Sequence, residues 1–356
     1  MRDSIKLSVF FLVITLSVMT LFAQSGDNAE NQPKPEANQT EPSKIHESLT
    51  LNYEVSPVPM KYLFTSKTEL NAKIENLTDE KENKDVVGTM TSSTTLLLTS
   101  EDLSVEEYKI KVAFEKLSGS YDIDGKTVEF NLSKDGLDTK VDGKEGETIP
   151  ELSDWNAANP ESLGKILAEF NLTKDGKIKN AVSHTSAGEQ AGMSSPDAFN
   201  KSLIYLQNPM TLINLLFWEL PADELKFERT GNIPAKPAPS WKSKINYPFE
   251  SAFVFETVDS ECSIVSVTEE KEAESTETPD ADAAKKPIHK IIRIHRIIKH
   301  PTEKDTQIIA YMDFDTVKRV PILVTFDIYR TTELNPTEDR KITLTQKTNF
   351  RFVLQK

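Results

Sequence analysis

Residues 108–115 read Tyr-Lys-Ile-Lys-Val-Ala-Phe-Glu, with Tyr108, Ile110, Val112 and Phe114 two residues apart. Apolar side chains at that period line one face of an extended chain and leave the other face to water. Helical spacing would scatter the same residues around a cylinder. Runs from Tyr62 to Ile74 and from Val86 to Thr99 are similar, rich in Thr, Val and Leu, residue types that suit a pleated surface. Further strand-like runs cover Pro248 to Val267, Ile288 to Ile298, Gln307 to Phe314, Val320 to Tyr329 and Lys341 to Leu354. About ten strands joined by turns predict a mainly β fold: a long curved antiparallel sheet or incomplete β-barrel with a short helical insertion.

The segment Glu129-Phe-Asn-Leu-Ser-Lys-Asp-Gly136 recurs as Glu169-Phe-Asn-Leu-Thr-Lys-Asp-Gly176. In each copy Asp-Gly separates two strand-like runs, a hairpin signature because both residues tolerate positive φ. The echo is consistent with two similar hairpins in one meander, or with a duplicated functional loop. Before the second copy, Asn159-Pro160-Glu161 has the form of a helix start. Leu163, Ile166, Leu167 and Phe170 then have helical spacing, whereas Gly164, Ile166, Ala168, Phe170 and Leu172 form a strand face. The expectation is one turn of helix or a loop, then a strand from about Leu163.

Residues 195–220 break the β pattern. Ser195-Pro196-Asp197 is an N-cap followed by proline at the first helical position, and Phe199, Leu203 and Leu206 follow at helical spacing. After Pro209, residues Leu212, Ile213, Leu215, Leu216, Phe217 and Trp218 continue the apolar run to Pro221. Two short helices joined at Asn208-Pro209 are predicted, too interrupted to span a membrane. Either they plug the mouth of the curved sheet, or Leu203, Leu206, Leu212, Leu215, Leu216, Phe217 and Trp218 form an apolar lid over a cavity.

The N-terminus reads as an export signal over residues 1–25. Arg2 and Lys6 precede an apolar run from Leu7 to Phe22, and Ala23-Gln24-Ser25 offers small residues for cleavage. An uncleaved anchor is the alternative. No cysteine follows the run, so a lipoprotein anchor is not expected. Residues 26–47 are Asn-, Gln-, Pro- and Glu-rich and read as a disordered spacer. Residues 48–356 form a single β-rich domain, with a flexible acidic loop at 269–287. The localisation expected is periplasmic or extracellular.

The net charge of −14 disfavours nucleic acid and anionic lipid surfaces as partners. One cysteine, Cys262, supports no internal disulfide and sits in an alternating run as a small buried residue. No Gly-x-Ser-x-Gly, His-Glu-x-x-His, phosphate loop or dinucleotide motif occurs, so no catalytic, cofactor or metal residues are assigned. His289 and His295 would share a strand face roughly 20 Å apart, too far for one metal, with His300 beyond. Asp313 and Asp315 read as a strand end closed by an Asp-led turn. Lys285, Lys286, Lys290, Arg293, Arg296 and Lys299 read as a solvated strand face, or as a small anion or headgroup patch.

The order of features resembles the lipoprotein-carrier fold of periplasmic LolA/LolB-like proteins. Leu220-Pro221, Ser240-Trp241 and Ala310-Tyr-Met-Asp-Phe-Asp315 are similar to motifs of a family of secreted bacterial β-rich proteins with a domain of unknown function. That family carries Pro-x-x-x-Gly-x-x-Trp and Gly-x-x-x-Phe-Asp. Both glycines are missing here, Pro239 and Ala310 standing in those regions. The resemblance spans most of residues 49–356 and brings no functional residues with it. The function expected is non-enzymatic binding of a hydrophobic small molecule, a lipid or acyl chain, with a structural or protein-interaction module of the cell envelope as the alternative.

Overall fold

The structure, a computed structural model, describes residues 44–78, 81, 83–123, 125–145, 163–184, 209–251, 254–270, 289–299, 306–337 and 340–355. The expected export signal, most of the spacer, the helix start at Asn159, the first predicted helix, the acidic loop beyond Glu270, and Lys285, Lys286 and His300 lie outside the described residues.

The first strands are β1 (Lys44–Leu49), β2 (Met60–Asn76), β3 (Lys84–Asp102), β4 (Glu107–Ile123), β5 (Lys126–Ser133), β6 (Gly136–Val141) and β7 (Lys144–Glu145). After β8 (Ile166–Thr173) and β9 (Ile178–Ser183) comes helix α1 (Pro209–Leu216). The chain continues as β10 (Leu225–Thr230), β11 (Ile233–Pro234), β12 (Ser240–Ser251), β13 (Val254–Glu269), β14 (Lys290–Lys299), β15 (Gln307–Asp315), β16 (Val320–Thr337) and β17 (Arg340–Leu354). Strands resume at Ser240 rather than at Pro248, because Trp241 and its neighbours pair with Cys262 and Glu261 across β13. A strand also begins at Lys44, ahead of the start near Leu49 read from the sequence.

Fourteen strands form one antiparallel sheet in the order β12-β13-β14-β15-β16-β17-β2-β3-β4-β5-β6-β7, with β8 paired to β4 and β9 to β8. The last strand, β17, lies between β16 and β2, so the C-terminal meander is stitched directly to the N-terminal one. A separate sheet, β1-β10-β11, stands beside it. The two echoed segments are both hairpin strands on the same edge of β4. Phe130 of β5 faces Gly119, and Phe170 of β8 faces Ile110.

The expected inner face of β4 is confirmed: Tyr108, Ile110, Val112 and Phe114 are all buried. The register between β3 and β4 then skips Glu115, and the extra residue carries Leu117 onto the same buried face. A second irregularity, where β4 meets β8, has Val112 opposite Ala168 and Ala113 opposite Ile166. Leu167 is thereby buried and Ile166 exposed, so Ile166 does not share the face of Ala168, Phe170 and Leu172 as plain alternation had it.

The sheet does not close into a barrel, yet α1 packs against β12 at one edge and against β8 and β9 at the other. Laid flat, the nine strand-to-strand steps from β12 to β8 would span about 43 Å at ~4.8 Å per step. An eight-residue helix is only about 12 Å long. The sheet must therefore curl strongly, and the helix bridges the gap between its edges.

Candidate functional site

Helix α1 follows from its composition: Pro209 opens it, and Leu212, Ile213, Leu215 and Leu216 supply an apolar surface on nearly every side. All four are buried, as are Phe217 and Trp218 beyond its end. Of the predicted lid residues, Leu212, Leu215, Leu216, Phe217 and Trp218 thus lie together in the core, while Leu203 and Leu206 fall outside the described residues. The helix stops earlier than the apolar run. The Phe217 amide donates to the Ile213 carbonyl at 3.0 Å, and the chain then leaves as an extended tail, 217–220.

Hydrogen bonds fasten that tail on three sides. The Tyr53 hydroxyl accepts from the Trp218 amide at 3.0 Å and donates to its carbonyl at 3.1 Å. The Leu220 amide donates to the Asp175 carbonyl at 2.8 Å, in the β8–β9 hairpin. On β12, Trp241 Nε1 and the Ser243 hydroxyl both donate to the Glu219 carbonyl at 3.2 Å. Edge-on ring contacts add packing: Tyr53 lies 5.5 Å from Phe217 and 5.6 Å from Phe314, and Trp218 lies 5.9 Å from Phe326. Burial pushes the Tyr53 hydroxyl pKa well up, so it stays a neutral donor.

Arg296 corrects the reading of its segment as a solvated basic face. Along β14, Ile292, Ile294, Arg296 and Ile298 share the inner face, and all four are buried. Its cross-strand neighbours, Cys262 on β13 and Ala310 on β15, are small and leave room for a guanidinium to lie against the sheet. Nε donates to the Ser260 hydroxyl at 2.8 Å, and Nη2 donates to the Lys244 carbonyl at 2.8 Å and the Ser243 hydroxyl at 3.1 Å. The Trp218 ring covers the group, its centroid 5.1 Å from Cζ. Nη1 is buried and has no hydrogen-bond partner among the described residues. Burial lowers the pKa of the guanidinium and raises that of Cys262.

Of the other basic residues of that stretch, Lys290 and Arg293 have acidic partners, and Lys299 is exposed. Arg293 binds Asp313 through two 2.7 Å bonds on the outer face. Lys290 reaches Glu47 at 2.6 Å, and Arg229 bonds Glu47 at 2.8 Å and also Glu269, tying the small sheet to the large one. Asp315 accepts from the amides of Val317 and Lys318 at 2.9 and 2.8 Å, the Asp-led turn that was expected. His295 stacks on Tyr311 at 4.9 Å, and His289 lies 3.0 Å from both Glu270 and Asp315.

Two clefts are described, and neither lies under α1. One, of about 530 Å³, is an open hollow whose lining includes Thr65, Thr91, Ser93, Ser118 and Ser120 together with Gly119 and Phe130. The other, of about 520 Å³, lies at the rim near Asn52, Glu106, Lys174 and Pro221. Among the described residues no helix is long and apolar enough to cross a membrane.

No protein-family model matches the chain, and no curated protein matches it either. A structure of lipovitellin described for its lipid–protein interactions is similar at 7% identity and a TM-score of 0.37. That match covers 85% of this chain and 26% of lipovitellin, so the chain spans about a quarter of its length. The toluene transporter TodX of P. putida is similar at 8% identity and a TM-score of 0.15, covering 83% of this chain and 90% of its own. Both likenesses are too distant to bear on function, and what describes this chain is its own architecture: a curled antiparallel sheet bridged by one apolar helix.

Proposed function

We propose that this is an exported, non-enzymatic protein that binds a hydrophobic ligand, a lipid or acyl chain, between α1 and the inner face of the sheet. The observation that supports it is how the interior is closed. Strands could have closed it by hydrogen bonding into a barrel, but a short apolar helix fills the gap between the edges instead.

The energies allow an exchange. Moving α1 aside uncovers four buried aliphatic side chains, at about 2 kcal/mol each. An acyl chain of about 16 methylenes regains about 13 kcal/mol at ~0.8 kcal/mol per group. The exchange is therefore feasible once the tail is released. Titrating the full chain with a fluorescent acyl probe tests the reading. Saturable binding with a blue-shifted emission is expected, and emission no different from that in buffer counts against it.

A second reading has its own support. The space beneath α1 is occupied by the protein's own side chains, as in a module built to hold shape and present its surface to a partner. If the probe does not bind while the chain pulls down an envelope protein through its outer face, that reading replaces the first.

A further inference from the structure

Arg296 is a fully buried positive charge whose acceptors are all neutral: two serine hydroxyls, one carbonyl and an indole face. Among the described residues no carboxylate forms an ion pair with it, and Glu219, on the tail beyond α1, acts on it only through the field of its charge. The buried pair Glu47–Arg229, by contrast, joins opposite charges at 2.8 Å. A charge held in apolar surroundings without a carboxylate in direct contact is costly, and an unmade hydrogen bond at Nη1 adds to the cost. Retaining an arginine there, on a strand face otherwise made of Ile292, Ile294 and Ile298, calls for an anion to complete it.

We propose that Arg296 is the anchor for the carboxylate of an acyl-chain ligand, which accepts a hydrogen bond from Nη1 while its chain lies along the apolar inner face. The inference rests on the hydrophobic-ligand reading above and names the ligand class. Three features select this chemistry. A single negative charge neutralises the single positive one, whereas a dianionic phosphate would leave excess charge in an apolar interior. Nε and Nη2 are already engaged, so a two-pronged phosphate clamp is not on offer and a contact through Nη1 alone is. The surroundings suit a hydrocarbon tail: Ile294 faces Met312, and Ile298 faces Ile308. Trp218, which covers the guanidinium, belongs to the tail of α1, so movement of that tail uncovers the charge and the apolar surface together.

Calorimetric titration of the full chain with oleate, oleyl alcohol and acetate, each below its aggregation concentration, tests the assignment. Oleate should bind about tenfold or more tightly than oleyl alcohol, with acetate not binding in the same range. Arg296→Met should erase the preference for oleate, and Arg296→Lys should keep part of it. If Arg296→Met does not fold, the oleate and alcohol comparison on the unaltered chain decides alone. Equal binding of oleate and oleyl alcohol overturns the anchor, leaving Arg296 as a core arginine hydrated by internal water, while the hydrophobic-ligand reading stands. Acetate binding as tightly as oleate marks a free small-anion site and also overturns the acyl anchor. Binding of none of the three removes both readings.

Discussion

Gly176 lies directly beneath the Trp218 carbonyl: a Cβ at this position would overlap the carbonyl oxygen and stand 2.7 Å from the Tyr53 ring. Its φ of +86° is also a conformation that side chains disfavour. The equivalent glycine of the first echo, Gly136, has no atom within 4 Å of the same position. The two copies are alike as hairpins but differ in role, because only the second docks the tail of α1.

Gly176→Ala should therefore destabilise the fold by about 3 kcal/mol or more, combining overpacking against backbone with backbone strain. Gly136→Ala should cost only about 1 kcal/mol. Urea denaturation of the two variants provides the comparison, and equal midpoints would show that the tail does not press on the hairpin.

Tyr53→Phe removes both hydrogen bonds to the Trp218 backbone while keeping the ring contacts. Leaving a buried amide and carbonyl without that partner should cost about 1–3 kcal/mol. Because Tyr53 fastens the tail, hydrogen exchange at the amides of residues 218–220 should accelerate more than exchange in β15 or β16. Uniform acceleration throughout the sheet would show that Tyr53 serves the whole core rather than the tail.

The strands were legible because alternation is a property of neighbouring residues. Parity also located Arg296 in principle: Ile292, Ile294, Arg296 and Ile298 alternate without a break. Counting it among the charges of a basic stretch hid what its position showed. The irregularities at Glu115 and Leu167 were not legible, since an extra residue in one strand is defined by the register of its partner. The small sheet was missed because β1 and β10 are short and charged. Their charges make sense only through partners such as Glu47 and Arg229, 182 residues apart. Helix α1 stood out by apolar density, but the chain alone did not show that it touches both edges of one sheet.

Stability should depend on pH through Glu47. Burial pushes its carboxyl pKa up, but hydrogen bonds from Lys290 and Arg229 outweigh that and hold it below the ordinary 4.5. A folded-state pKa below the unfolded one means that the native state binds this proton less tightly. The contribution is complete above about pH 4.5 and is lost as pH falls through the folded value. Glu47→Gln should lower stability at neutral pH by about 3 kcal/mol, by leaving buried cations short of a partner, and should flatten the acid limb. Thermal melts from pH 3 to 7 supply the measurement. An acid limb unchanged by the substitution contradicts the assignment.

Cys262 should be inert in the native protein. It is buried on the inner face, and burial raises its thiol pKa, so little thiolate forms near neutral pH. A thiol reagent should label it only after denaturant is added. Rapid labelling of the native chain would mean that the inner face near Arg296 is open to solvent.

The central claim is that the curled sheet and its bridging helix take up an apolar molecule. Native mass spectrometry of the protein, purified without detergent, tests this most directly. The account predicts a bound species of acyl-chain mass that is released when the protein is denatured and retained again when lipid extract is returned. A spectrum showing only the bare chain, before and after incubation with that extract, would contradict it.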